Sequence, residues 1–378
     1  MPSYGFLSTH PPTRCGLATF NAALAAQLTA DGTHGGIVRV TDHGDDQRPT
    51  PGVVHTWSAR DPAGWREAAA VLNAYDVAIV QHEYGIYPGA DGEEVLPLLR
   101  RLSVPSIVVL HTVLRQPSAR QKSLLAQIAA IAGAVVTMTD TARDRLLVEY
   151  AVPAGKVTVI PHGAAELAGV PVDRRTRPHL LTWGLLGPGK GIEWSLRALA
   201  RLQDLEPTPT YTVAGRTHPK VIEHHGEAYR AGLHQLGAQL GIAHTVDYQD
   251  AYLDQEALGR LIRSADVVVL PYDSREQVTS GVLIEAVAAG VPVVATAFPH
   301  AVELLTGGPG LVVPHQNPAA LAKAIRRILT EPGLAARLAG RVRPLAAHLS
   351  WPAVAARYGT LAEELTDARS PAVSVVPA

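Results

Sequence analysis

The sequence predicts an α/β protein made of two doubly wound parallel-sheet domains in tandem. Short apolar runs rich in valine and isoleucine alternate with helix-spaced segments from end to end. The rhythm pauses once, where Gly, Pro and Arg cluster between Pro161 and Pro178, and then restarts. At 378 residues the chain is also too long for one typical core.

Each run supports the same reading. In the first half, Ile37 to Val40, Val53 to Thr56, Val77 to Val80, Ile107 to Leu110, Ala134 to Thr137 and Val157 to Ile160 read as strands. Helical spacing between them, as in Glu93 to Leu102 and Arg120 to Ile131, makes the strands parallel and covers both faces of the sheet. In the second half the strands are Leu180 to Trp183, Tyr211 to Ala214, Thr245 to Tyr248, Val267 to Leu270, Pro292 to Ala295 and Leu311 to Val313. Domain limits of 1–170 and 171–349 follow, with a cleft expected between them. A helix is expected over 350–366, opened by Ser350-Trp351-Pro352, and residues 367–378 read as a loose tail.

Composition narrows the function. Hydrophobic residues make up 47% and charged residues 18%, the profile of a globular chain. A net charge of −1 advertises neither nucleic acid nor an acidic membrane. One cysteine, Cys15, rules out an internal disulfide, and no Cys/His cluster has zinc spacing. With no leader pattern and no run long enough to span a bilayer, a cytoplasmic protein is expected.

Four loops at strand ends hold the chemistry. The central one follows the valine-rich strand Asp266 to Leu270 and runs Arg275 to Ser280 into a helix that starts with Gly281, Val282 and Leu283. A strand, a polar turn and a helix N-terminus opening on Ser280-Gly281 make an anion site, because free N–H groups and the positive end of the helix dipole point outward. Glu285 lies about one turn further, at a distance suited to a sugar hydroxyl. The plainer reading is a capped buried helix with an ordinary exposed glutamate. The second loop, Gly184 to Gly191, places Lys190 after Gly189 at another helix start and matches neither a Walker A nor a GxGxxG pattern. Lysine is one of only five in the chain, so its place among glycines suits a pyrophosphate. The third loop, Ser8 to Phe20, joins a short strand-like piece, Tyr4 to Leu7, to the first helix through Gly16, and Cys15 in it reads as a small buried residue. The fourth, Gln81-His82-Glu83-Tyr84, crowds polar groups at a strand end, and His111 and His162 end two further strands.

The second-half pattern, Lys190-Gly191-Ile192-Glu193, Ala214-Gly215, Pro271, Ser280-Gly281, Glu285-Ala286 and Ala289 to Val294, resembles the retaining family 4 glycosyltransferases (glycosyl transferases group 1) of GT-B fold. The Pro11-Pro12 to Gly16 loop and Pro161-His162-Gly163 match as well, so the resemblance covers nearly the whole chain. It implies transfer of a hexose, glucose or mannose, from a nucleoside diphosphate sugar to an acceptor hydroxyl with retention. No cofactor and no essential metal are implied. It further implies that Glu285 holds the donor ribose and Lys190 the pyrophosphate. Ser280, Gly281 and Val282 would face the diphosphate with Gly16 and Gly189 beside it, and His111 would lie near the transferred sugar. His82, Glu83 and Tyr84 fall on the acceptor side.

Two positions depart from the family pattern. The first glutamate of its Glu-x7-Glu motif is Gln277 here, also a catalytic candidate, and a common arginine of the phosphate clamp is Leu185. A covalent route would need a carboxylate at the anomeric carbon, and Glu83 and Asp91 are the nearby candidates. The front-face route, in which the donor phosphate takes the acceptor proton, fits better. A GT-B nucleotide-sugar epimerase and a catalytically silent nucleotide-sugar binder are the rival readings.

Overall fold

The computed structural model describes residues 1–41, 49–167 and 175–368. The chain forms two compact units. Unit 1 comprises Met1–His162 and the chain from Trp351 onward, and unit 2 comprises Gly163–Ser350. The division lies after His162 rather than near residue 170, because Ala164 already hydrogen-bonds Leu349 and bridges to Ser350 within unit 2. The expected linker is only partly visible, since residues 168–174 lie outside the described residues, as do residues 369–378 of the expected tail, whereas Asp367 still belongs to the last helix.

Unit 1 is a seven-stranded sheet of β1 (Tyr4–Ser8), β2 (Gly35–Thr41), β3 (Val53–Ser58), β4 (Val77–His82), β5 (Ser106–Leu110), β6 (Ala134–Thr137) and β7 (Val157–Val159). Every pairing is parallel, in the order β3-β2-β1-β4-β5-β6-β7. The strands read as continuous apolar runs because helices cover both faces. These helices are α1 (Gly16–Leu28), α2 (Trp65–Leu72), α3 (Val95–Arg101), α4 (Ala119–Ile131) and α5 (Asp140–Glu149). A capping box opens α4, with Ser118 and Gln121 bonding each other's backbone.

Unit 2 repeats the design with six strands: β8 (His179–Trp183), β9 (Thr210–Ala214), β10 (Val246–Gln249), β11 (Val267–Leu270), β12 (Val293–Thr296) and β13 (Gly310–Val313). They are all parallel, in the order β10-β9-β8-β11-β12-β13. Its helices are α6 (Ile192–Leu199), α7 (Pro219–His225), α8 (Ala228–Gln239), α9 (Gln255–Arg263), α10 (Gly281–Ala288), α11 (Pro299–Leu305), α12 (Pro318–Thr330), α13 (Leu334–Gly340) and α14 (Arg343–Leu349). One core layer sits between the sheet and α6, α8 and α12, the other between the sheet and α9, α10 and α11.

The last helix, α15 (Trp351–Asp367), belongs to unit 1. Its buried residues Val354, Ala355, Tyr358, Leu361 and Ala362 repeat at helical spacing and join Phe20, Leu24 and Leu28 of α1 in one core. At the start of α15, Ser350 donates its hydroxyl to the Ala347 carbonyl at the end of α14. No helix among the described residues is long and apolar enough to cross a membrane.

Candidate functional site

In unit 2 the strand order reverses between β8 and β11, so the loops after these two strands part and leave a crevice at their carboxyl ends. Both glycine-bearing loops of the sequence lie there. The loop after β8 is fixed on one side through Leu186, which bonds the backbone of Arg216 and His218 beyond β9. On the other side the Gly189 carbonyl accepts from Asp273 N at 2.9 Å, and the Asp273 carboxylate accepts from Trp194 of α6. Two glycines are required. A Cβ on Gly191 would lie 1.9 Å from the Pro271 carbonyl, and one on Gly215 would lie 1.9 Å from that of Gly184. Both have positive φ, so the close approach and the backbone conformation each demand glycine.

Lys190 therefore has a fixed place. Its Nζ lies over the Tyr272 ring, 4.5 Å from the centroid, and Tyr272 in turn stacks on Phe298. Among the described residues the ammonium has no carboxylate partner and no hydrogen bond. Burial pulls its pKa below the ordinary lysine value. A cation–π contact of this kind is worth only about 0.5–2 kcal/mol.

Beside it α10 begins. Ser280 is the N-cap, and its hydroxyl accepts from Leu283 N at 3.2 Å. The Ser280 N–H donates to Nδ1 of the buried His300 at 2.9 Å. This leaves Gly281 and Val282 as first-turn donors with no intrahelical acceptor. A Cβ built on Gly184 would lie 3.6 Å from Val282, so the two loops meet here. Glu285, one turn on, is half-buried and accepts at Oε2 from Trp183 Nε1 at 3.0 Å. Burial raises its pKa to about 7, against a smaller lowering by the indole N–H. Gln277 turns its amide to the Thr279 carbonyl at 3.1 Å, while its own carbonyl accepts from His300 N. Leu185 is half-buried in the loop after β8.

In unit 1 the order reverses between β1 and β4, and the remaining candidates stand at those strand ends and at the end of β5. His111 Nε2 hydrogen-bonds Gln81 Oε1 at 2.8 Å, and the Phe20 ring meets it edge-on at 5.0 Å. Burial, then the nearby His162 and His82, push the His111 pKa down to about 3. His82 is fully buried, and neither ring nitrogen has a hydrogen-bond partner, so its pKa falls to about 4. His10, against Asn21, is also held near 4, by burial and then by Arg39. Glu83 accepts from Thr112 and from Tyr84 N, and Asp91 accepts from Gln121. Tyr84 meets His82 edge-on. Gly16 is the exposed first residue of α1. Cys15 is not a buried core residue: it is half-buried and caps α1, its Sγ accepting from Ala18 N and meeting the Thr9 hydroxyl at 3.3 Å. A short polarizable side chain at the N-cap position does the work usually done by serine.

Sequence reasoning missed Trp183 and His300. Both act through side-chain bonds to residues 102 and 20 positions away. The signal available was the lone tryptophan that ends the strand before the glycine loop.

Two Rossmann-like units of this topology, the second with an anion-suited switch point, define the GT-B class of glycosyltransferases. Residues 177–331 match the glycosyl transferases group 1 family, and residues 15–165 match Glycosyltransferase Family 4. The chain belongs to family 4 of the glycosyltransferases. It is 30% identical over 267 residues to a D-inositol 3-phosphate glycosyltransferase of Streptomyces avermitilis, covering 63% of this chain and 56% of that one. A namesake from Stackebrandtia nassauensis is 31% identical over 60% of this chain and 52% of its own. The chain thus spans about half the length of these curated relatives. The structure of sucrose-phosphate synthase from Thermosynechococcus elongatus superposes with a TM-score of 0.76 at 22% identity, over 97% of this chain and all of that one. That likeness is one of fold.

Proposed function

We propose that the protein is a retaining glycosyltransferase that moves a hexose, glucose or mannose, from a nucleoside diphosphate sugar to an acceptor hydroxyl without a metal. One observation carries this reading: a half-buried lysine with no anionic partner among the described residues stands beside a helix N-terminus whose first N–H groups are unengaged. A diphosphate supplies the missing counter-charge to Lys190 and acceptors for Gly281 and Val282. Glu285 then takes the ribose hydroxyls. The names of the sequence relatives support a hydroxyl-bearing acceptor.

The bond from the anomeric carbon to the phosphate oxygen breaks as the acceptor oxygen bonds the same carbon from the same face. The acceptor proton passes to the departing phosphate, whose charge Lys190 and α10 stabilise. His111 stays a neutral imidazole, a group suited to bonding a hydroxyl.

Incubation with UDP-glucose, GDP-mannose and UDP-N-acetylglucosamine, in excess EDTA and followed by NMR, tests this. Slow donor hydrolysis with retained configuration is expected. An inverted product refutes the mechanism. Epimerised donor marks an epimerase, and binding without turnover marks a silent binder.

A further inference from the structure

We infer that Trp183 is a positioning residue for Glu285: its indole N–H pins one carboxylate oxygen, so the other is presented to the vicinal hydroxyls of a nucleotide ribose. This role rests on the reading of unit 2 as a nucleotide-sugar site, and it adds a residue and a selectivity to that reading.

The geometry is specific. Trp183 ends β8, is only 5% exposed, and packs in the core layer that holds Leu270, Tyr272 and Ile284. A ring held this way cannot swing, and indole is a donor only. Its N–H reaches Glu285 Oε2 at 3.0 Å, and the carboxylate makes no other hydrogen bond or ion pair among the described residues. A glutamate on a helix has three torsions to order, and one rigid donor removes most of that freedom before any ligand arrives. The remaining oxygen then has a single direction in which to accept.

The groups facing Glu285 are few. From β8 comes Trp183, and from the end of β11 comes Tyr272, whose buried hydroxyl stays protonated. Lys190 lies over the Tyr272 ring. The indole bond favours the ionised carboxylate against burial, so its loss moves the carboxylate pKa further up.

The experiment compares wild type with Trp183→Phe by calorimetry, using UDP, GDP and ADP, and then the 2′-deoxy form of whichever binds tightest. Wild type is expected to prefer the ribose form by about tenfold or more, as hydrogen bonds to a charged group require. Trp183→Phe should cut that preference at least about threefold and move the pH midpoint of binding upward. If the phenylalanine variant does not fold, 3-benzothienylalanine at position 183 keeps the ring shape and deletes only the N–H. Full ribose preference with an unmoved pH midpoint in a folded variant overturns the role of Trp183 alone. A wild type that binds no nucleotide overturns the reading of unit 2, and this role with it.

Discussion

The switch points of the two units share a topology and differ in charge. In unit 2 the loop after β8 carries Lys190, and the helix that follows β11 brings its N-terminus and Glu285. In unit 1 the carboxyl ends of β1, β4 and β5 carry His10, His82 and His111, all driven neutral by burial. The fold supplies strand ends, and the side chains decide what they hold. Unpaired charge suits a phosphate, whereas neutral imidazole, which donates from one nitrogen and accepts at the other, suits a hydroxyl.

Removing the charge should have the largest effect. Lys190→Ala is expected to lower kcat by about a hundredfold or more, with a smaller rise in KM, because the cation meets charge that grows in the transition state. A pure KM effect would reduce unit 2 to a holding site. Next, Glu285→Ala should weaken donor binding by about 1.5–3 kcal/mol, read by calorimetry; unchanged affinity in a folded variant removes Glu285 from the site.

The two units should also answer pH in opposite senses. Glu285, with a native pKa of about 7 against an ordinary 4.5, binds its proton more tightly when folded, so its contribution to stability falls as pH rises between those values. The three histidines bind protons less tightly when folded. Their contribution is full above about 6.5 and is lost as pH falls toward 4. Hydrogen exchange, corrected for intrinsic rates, should therefore show unit 1 loosening between pH 7 and pH 5 while the α10 region of unit 2 firms. Parallel behaviour would break the contrast.

The smallest effect concerns Gln277 and Leu185. Gln277→Glu should impair transfer by adding a carboxylate near a departing anion and by replacing the amide donor to Thr279. Leu185→Arg should recover part of the loss, with a coupling of roughly 0.5–3 kcal/mol in a double-mutant cycle. Strictly additive losses would separate the two positions.

The frame was legible because it rests on local signals. Valine-rich runs, glycines at strand ends and a lysine among glycines mark elements and loops without long-range knowledge. What stayed hidden is what folding alone creates. Trp183 reads as an apolar strand residue until Glu285 is brought to its N–H, and His300 reads as a helix residue until Ser280 N points at its ring. Cys15 was hidden for another reason: its half-exposed capping role is local, but thiols are uncommon there. Gln277, expected by the donor sugar, has its amide on its own loop.

The packing of α15 against α1 bears on how the chain is made. Phe20, Leu24 and Leu28 find their covering residues more than 300 positions later, at Val354, Tyr358 and Leu361. Unit 2 is continuous in sequence and is complete once residue 350 has left the ribosome, whereas unit 1, begun first, lacks part of its core until the final helix emerges. Synthesis then runs against the usual N-terminal-first order. A nascent chain stalled before residue 351 should hold a folded second half behind an open first half, and pulse proteolysis of such stalled chains would show which half resists.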